Sequence, residues 1–307
     1  MTTAETFTVA RRVTLTGPAR DAGSGKVGLP CAAHGVPVGA KLIIAGSTNY
    51  NGTHEVLRGT SVDELLITAT YEAEAFAAVL ADVPFFDHTY KLADEQPSLT
   101  IVKGWPKRNI YFFARGIKYS KLPIKGGGSG EITASMDTMG AGEDPETSAY
   151  SASLVIYPER KFLQRHLTLT IGGAASTHRV TEIELDVDSA LDGDTYTIND
   201  AATTGERGDI NEGTYKLTGS LKALFKDSAF SDLALAGSTS SLSMLFNSAG
   251  YQLQFDLAEL RFERTTPPID GPKGVVESYS IAAFYDTASS GSAIVVRLRN
   301  EISNWEA

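Results

Sequence analysis

Residues 210–300 alternate apolar and polar side chains with a period of two, which is the period of a β-strand with one buried face. The first clear run lies between Tyr215 and Phe225. The same period returns farther along the chain, at residues 242–246, 251–257 and 294–298. Between Asp227 and Leu235 the spacing changes, because Phe230 and Leu233 lie three residues apart and predict one short amphipathic helix. The C-terminal part is therefore predicted to be mainly β with a single short helix.

The segment before residue 96 has shorter strand signals. Lys41–Ala45 is apolar and leads into the pair Asn51-Gly52, which is the strongest short signal for a β-hairpin. Residues 72–80 are rich in alanine and glutamate and predict one short helix. Residues 93–97 are polar, and strand character resumes at Leu99. We therefore predict a small β-rich accessory module at residues 1–95 and a β-sandwich or half-barrel domain at residues 96–307.

Two polar segments of the larger domain predict long loops. Gly126–Gly130 has the sequence Gly-Gly-Gly-Ser-Gly, which constrains the backbone weakly and predicts a mobile loop. Asp188–Glu212 is rich in glycine, aspartate and threonine. A connection of this length in a compact domain is usually functional or disordered.

The composition is that of an ordinary folded protein, with 42% hydrophobic and 21% charged residues. No apolar run approaches the roughly 20 residues of a membrane-spanning helix, and residues 1–10 lack the pattern of a secretory signal. The single cysteine, Cys31, excludes an internal disulfide framework and a cluster of thiolate metal ligands. A formal net charge of −10 argues against nucleic-acid binding as the main activity. An acidic surface does suit a wall past which DNA slides without sticking.

The sequence supports no catalytic, metal or cofactor site. Gly23–Lys26 departs from the phosphate-binding loop, because Arg20 stands where a glycine is needed and Val27 where serine or threonine is needed. The five histidines are scattered without metal-ligand spacing, and no nucleophile elbow is present. Asp186–Asp194 fails the calcium-loop spacing at Ala190, so a solvated acidic loop is the better interpretation. We therefore predict that the protein is not an enzyme and uses no cofactor.

Four carboxylates occupy alternate positions of one predicted strand: Glu182, Glu184, Asp186 and Asp188. Alternate residues of a strand share a face, and successive members lie about 7 Å apart. Their repulsion in water is about 0.6 kcal/mol for each neighbouring pair, which is small on a wet face and serious on a buried one. Two interpretations follow: the row is a solvated strand face, or it faces a channel or a neighbouring subunit.

Four segments of the larger domain share their order and spacing with a known family: Leu99–Gly104, Gly219–Phe225, Leu253–Leu257 and Gly274–Asn300. In these segments the chain resembles the major tail tube protein of long, non-contractile-tailed bacteriophages (siphophages). Residues 39–71 are similar to small β modules that phage tail proteins carry as additions. Tube proteins of this kind open with strands of the tube fold, whereas the module here begins almost at Met1.

The resemblance implies a structural virion protein of the tail, assembled in the host cytoplasm, whose copies join sheet edges into rings. Stacked rings then form a tube with an acidic lumen through which DNA passes without specific binding. Further copies of the chain and the tape-measure, terminator and tail-tip proteins are the implied partners. With about 4.8 Å between strands and a tilt of about 40°, the barrel radius grows by about 1 Å per strand. Six copies that contribute about four strands each form a barrel with a backbone radius of about 24 Å, which is wide enough for a DNA duplex.

On this interpretation Glu182, Glu184, Asp186 and Asp188 line the lumen or a subunit interface. Candidates to bridge adjacent rings lie in the two predicted loops: Gly126, Gly128, Asp192, Asp194, Arg207 and Asp209. Such loops would become ordered on assembly. Residues 1–95 would project outward. The alternative hypothesis is a tail-surface β-sandwich binding module that contacts host glycan through residues 1–95.

Overall fold

The computed structural model describes residues 9–127, 130–149, 160–176, 179–196, 207–225, 228–263, 275–287 and 291–303. Most of these residues lie in antiparallel strands, and the predicted mainly β fold is confirmed. The one α-helix within the described ranges, α1, is Ala229–Ala236, close to the predicted position.

The N-terminal residues form two small sheets around their own apolar core. The strands are β1 (Val9–Pro18), β2 (Arg20–Gly23), β3 (Lys26–Pro30), β4 (Lys41–Ile44), β5 (Gly52–Glu55), β6 (Glu64–Thr68) and β7 (Ala75–Pro84). One sheet has the order β1-β7-β4-β5 and the other the order β2-β3-β6. Fully buried side chains from both sheets, including Leu15, Leu29, Leu42 and Ile67, build this core.

The helix predicted at residues 72–80 is wrong. Ala75–Pro84 is strand β7, which pairs antiparallel with β1 from Val9 to Pro18. Phe76, Ala81 and Val83 of this strand are buried in the N-terminal core. The alanine-rich composition favours a helix locally, but pairing with β1 and burial against the core outweigh that weak preference.

The hairpin predicted at Asn51-Gly52 is present, with a longer connection than a two-residue turn. Strands β4 and β5 pair as far as Ile44 and Gly52, so residues 45–51 form the loop. The Glu74 carboxylate organises this loop by accepting hydrogen bonds from the backbone of Thr48 (2.7 Å) and Asn49 (2.8 Å). Backbone donors that would otherwise lack partners are thereby satisfied.

The remaining strands belong to one large branched sheet. They are β8 (Phe86–Lys91), β9 (Leu99–Trp105), β10 (Ile110–Gly127), β11 (Thr133–Ala134), β12 (Asp137–Met139), β13 (Gly142–Glu146), β14 (Leu167–Ile171), β15 (Ala174–Ala175), β16 (Val180–Asp188), β17 (Lys216–Leu224), β18 (Ser240–Ser248), β19 (Tyr251–Phe262), β20 (Val276–Phe284) and β21 (Val295–Asn300). Short 3₁₀ turns cover Pro106–Arg108 and Gln164–His166.

The two branches of the large sheet share one core. Strands β10, β16, β17 and β20 follow one another in one branch, and β19 continues into β18 and β14 in the other. Leu185 and Leu221 from the first branch and Met244 and Phe246 from the second belong to the same buried cluster. The ring of Phe230 on α1 joins this cluster, with centroids 5.7 Å from those of Phe262 and Tyr279. The predicted inward face of α1 is therefore confirmed.

A junction of buried contacts joins the N-terminal sheets to the large sheet. Strand β8 pairs along its length with β21, so residues 86–91 hydrogen-bond within the large sheet. The rings of Phe85 and Tyr251 meet edge to face at 5.0 Å. Arg11 Nη2 pairs with the buried Glu301 carboxylate at 2.5 Å, and the Tyr251 hydroxyl donates to the same carboxylate. The division at residue 95 stays a prediction.

Strand β10 extends beyond the shared core and carries an arm. Its residues 110–117 pair with β9, and residues 111–115 pair with β13 on the other side. We call these three antiparallel segments the arm. Among its described residues only Ile117 is fully buried, at the base of the arm.

Candidate assembly surfaces

The four carboxylates that the sequence predicts as a row do lie together on one face of β16. Ile183, Leu185 and Val187 point into the core, and the carboxylates at the alternate positions are half-buried on the opposite face. Strand β16 lies between β10 and β17, so the row runs along the middle of a three-stranded surface. We call this surface the polar face.

Lysines on both neighbouring strands neutralise the row. Lys125 Nζ lies 2.7 Å from Glu184, Lys222 Nζ lies 2.8 Å from Glu182, and Lys121 Nζ lies 3.5 Å from Asp188. Lys216 is the cross-strand neighbour of Asp188 on β17. Four lysines thus face four carboxylates, and the polar face is not the bare acidic stripe expected from the sequence.

Asp186 is the member of the row that has no lysine as a cross-strand neighbour. Its cross-strand neighbours are Pro123 on β10 and Thr218 on β17. The opposite charges are close enough to act on each other: the Glu184 carboxylate raises the pKa of Lys125 by hydrogen bonding and by its charge, and the charges of Glu182 and Asp186 raise it further. Ion pairs this exposed contribute about 0–1 kcal/mol each, so they set the charge pattern more than the stability.

The first two residues of the loop predicted at Gly126–Gly130 lie in a strand. Gly126 and Gly127 continue strand β10 and pair with Ile183 and Glu182. A Cβ on Gly126 would come within 3.0 Å of the Ile132 side chain, so the backbone here is closely packed. Gly126 is therefore a strand residue and not a loop residue, because the sheet register extends to the end of β16. Gly128 lies outside the described residues.

The long connection at Asp188–Glu212 has an ordered base. Isolated bridges join Asp192 to Asn211 and Tyr196 to Arg207, so the two ends run side by side. Arg207 Nε donates to the Gly193 carbonyl at 2.6 Å, and its Nη1 donates to the Gly140 carbonyl at 2.9 Å. Residues 197–206 lie outside the described ranges.

The acidic loop candidates serve local turns at this base. Asp192 accepts a hydrogen bond from the Asp194 backbone at 3.1 Å, and Asp209 accepts one from the Ile210 backbone at 2.8 Å. Asp192, Asp194 and Asp209 are all exposed residues. Their role between rings stays a prediction.

A largely buried ion pair anchors the connection to β10. Lys118 Nζ lies 2.8 Å from Glu212 Oε1 and donates to the Ile210 carbonyl at 2.7 Å. The same Glu212 oxygen accepts a hydrogen bond from the Gln96 backbone at 2.8 Å. The hydrogen bond from Lys118, and then that from Gln96, hold the pKa of Glu212 below its ordinary value of 4.5.

We expect Glu212→Gln to destabilise the protein most at neutral pH. The folded state binds the ionised carboxylate, so this stabilisation is fully present above pH 4.5 and is lost as the pH falls through the lowered pKa. Urea unfolding of both proteins from pH 7 downward should show their difference shrinking below pH 4.5. Glu95→Gln, at an exposed position, is the control and should stay close to wild type at every pH. A difference for Glu212→Gln that is independent of pH would contradict the assignment.

The neutralising lysines are functional candidates that the sequence pattern does not identify. Lys216 and Lys222 alternate with apolar residues on β17 in the same way as the carboxylates on β16. That shared alternation is the available signal, but it does not say which strands are neighbours. The pairing of Lys222 with Glu182 across 40 residues becomes visible only once the register is known.

The described ranges contain no group of three or more His, Cys, Asp or Glu side chains placed to hold a metal ion. No helix in the same ranges is long and apolar enough to cross a membrane. The arrangement of the polar face offers paired charges on a sheet surface and no convergent reactive group.

Comparison with known proteins assigns the chain to a family. A model of the phage tail tube protein family matches residues 6–283, which is nearly the whole chain and includes all but the first five residues of the segment predicted as an accessory module. A search of curated proteins finds no match. The family is one of structural tail components and not of enzymes. The chain therefore belongs to the phage tail tube protein family and is a structural component of the virion tail.

Proposed function

We propose that the protein forms rings of six copies that stack into the tail tube of a long, non-contractile-tailed phage (siphophage). In each ring, sheet edges of neighbouring copies join by backbone hydrogen bonds, as exposed edges readily do. The tape-measure, terminator and tail-tip proteins are the further partners, and assembly takes place in the host cytoplasm. The resemblance in the strands from Leu99 onward and the family match support this proposal.

The observation that carries the proposal is the polar face of β10, β16 and β17. Its ion-paired side chains are between 30% and 57% exposed, and they present alternating columns of lysine and carboxylate. We place this face toward the lumen. Because the two signs balance, DNA passes a hydrated wall that neither holds phosphate nor reads sequence. On this proposal the charge of the lumen lining is balanced on these three strands, whereas the sequence alone indicated an acidic lining.

Electron microscopy and native mass spectrometry of the purified protein test the proposal. We expect rings with a mass of six copies at moderate concentration and stacked tubes at high concentration. Discrete monomers at every concentration and ionic strength would contradict it. The alternative, a tail-surface module that contacts host glycan, stays a prediction for residues 1–95. Binding of the full chain to a glycan array, without rings or tubes, would favour that alternative.

A further inference from the structure

One face of the arm exposes large apolar side chains that the described fold does not cover. Leu99 is 53% exposed, Ile101 38%, Trp105 51% and Ile110 40%. Exposed apolar side chains are normal when they are scattered singly, but a contiguous group of them marks a contact surface. These four residues therefore indicate a contact surface only if they lie together on one face.

The strand register places these side chains on the same side of the arm. Trp105 is the cross-strand neighbour of Ile110, and Ile101 is the neighbour of Ala114. Leu99, Ile101 and Trp105 lie at alternate positions of β9 and so share a face. Phe112 lies on this face as well, with its ring 5.7 Å from that of Trp105 in an edge-to-face contact. We call this surface the apolar arm face.

The opposite face of the arm is completed by contacts within the arm. The Tyr111 ring lies over Gly104, where an added Cβ would come within 2.8 Å of the ring. Arg115 pairs with Asp144 at 2.6 Å on the same side. An aromatic ring filling the space over a glycine and an ion pair across strands are devices that stabilise a sheet by itself. The two faces differ because the exposed large apolar side chains of the described arm all lie on the apolar arm face, despite the contact of Trp105 with Phe112 there.

The apolar arm face is small. Seven residues of β9 at about 3.3 Å each and three strands about 4.8 Å apart give a footprint of about 300 Å². A stable complex of two proteins needs about 800 Å² on each side. The face is therefore too small to hold a single separate partner, but it suits a contact repeated along a polymer, where each copy is held by several neighbours at once.

The charges on the apolar arm face also fit a second copy of this chain. Two chains that each carry a formal net charge of −10 repel each other at most surfaces. The charged residues on this face are Lys103 and Glu143, one of each sign. Lys103 lies two positions after Ile101 on β9, and Glu143 on β13 is the cross-strand neighbour of Ala114. Copies can thus approach here without the repulsion that an acidic surface would impose.

We propose that the apolar arm face docks onto a second copy of this chain and is one of the contacts that hold the tube together. This inference rests on the proposed assembly into rings and tubes, and it names a surface that carries it. The arm extends from the shared core on β10, so a neighbouring copy can cover it without changing the fold of either copy.

Ile101→Lys tests the inference, because it places a charge in the middle of the apolar arm face at a position that is exposed in the single chain. Thr100→Lys is the matched control, since it adds the same charge at an exposed position on the opposite face of the same strand. Ile110→Lys, at another exposed position of the apolar arm face, is the second variant. Light scattering and electron microscopy measure the concentration at which each protein assembles, and circular dichroism checks that each is folded.

We expect Ile101→Lys and Ile110→Lys to raise the assembly concentration about tenfold or more, because a charge must be buried in each contact. Thr100→Lys should assemble as wild type does. If wild type assembles and the two face variants assemble equally well, the inference is overturned and the proposed function stands. If Thr100→Lys is impaired to the same degree, the face assignment is overturned. If wild type forms no assembly, the proposed function fails and the inference fails with it.

Discussion

We expect Glu301→Gln to lower the free energy of unfolding by about 3 kcal/mol, the lower end of the range for breaking a buried ion pair. The Glu301 side chain is 2% exposed and binds both Arg11 Nη2 and the Tyr251 hydroxyl. Glutamine keeps the shape but leaves the Arg11 charge without its counter-charge inside the junction. Arg11 still donates to the His34 and Gly35 carbonyls, which moderates the loss. Urea unfolding followed by circular dichroism at pH 7 gives the measurement.

Glu55→Gln is the matched control for this prediction. Its partner Lys41 lies 2.7 Å away, but the two side chains are 38% and 30% exposed, so the pair is in contact with water. Pairs of this kind contribute about 0–1 kcal/mol. Equal losses in the two variants would show that burial at the junction does not decide the effect, and the account of the junction would then be wrong.

We expect Phe246→Ala to lower the free energy of unfolding of the large sheet by about 3–5 kcal/mol. Phe246 is 1% exposed, and its ring packs against those of Phe162 and Phe255 at 6.1 and 6.4 Å. The smaller side chain removes apolar contacts and leaves a cavity between the two branches of the sheet. Thermal and urea unfolding monitored by circular dichroism would measure the change.

Phe225→Ala is the control, because Phe225 is 50% exposed and its removal should cost under about 1 kcal/mol. Leu42→Ala makes a comparable cavity in the N-terminal core, where Leu42 is fully buried. If residues 1–95 form a separate domain, Phe246→Ala and Leu42→Ala shift different transitions. If both variants shift one common transition, the junction couples the two cores into a single unit. A Phe246→Ala protein as stable as wild type would contradict the assignment of Phe246 to the core.

The row on β16 shows what the alternation of polar and apolar residues can predict and what it cannot. Alternation of Glu184 with Leu185 is enough to predict that the carboxylates share a face opposite the core, because side chains of a strand point to alternate sides. It contains no information on the neighbouring strands. Lys125 and Lys222 reach the row from both sides through pairings of residues about 40 to 60 positions apart, and they change its charge from acidic to balanced.

Two local predictions were wrong for the same reason. The alanine-rich segment at residues 72–80 favours a helix, and Gly126 favours a loop, when each is considered with its neighbours in sequence only. In the fold, Ala81 pairs with Val13 of β1, and Gly126 pairs with Ile183 of β16. Contacts with distant strands outweigh local preferences of a few tenths of a kcal/mol to about 1 kcal/mol per residue.

The exposure of the apolar side chains on the arm could not be predicted from the sequence either. Strand character at Leu99–Lys103 and from Asn109 onward is visible in the sequence, and both strands are present as β9 and β10. An apolar strand is ordinarily expected to cover the core. Ile101 and Trp105 stay exposed because β10 is long and its first half, with which β9 pairs, extends beyond the shared core. The local sequence pattern does not show this.

Periods of two and of three to four residues in the sequence are enough to predict the mainly β class, the position of the one described helix and the inward face of most strands. The identity of neighbouring strands is visible only in the fold, and it sets the neutralised charge of the polar face, the strand at β7 and the uncovered apolar arm face. The physical reason is that pairing and register depend on contacts between residues far apart in the chain, whereas periodicity depends on near neighbours alone.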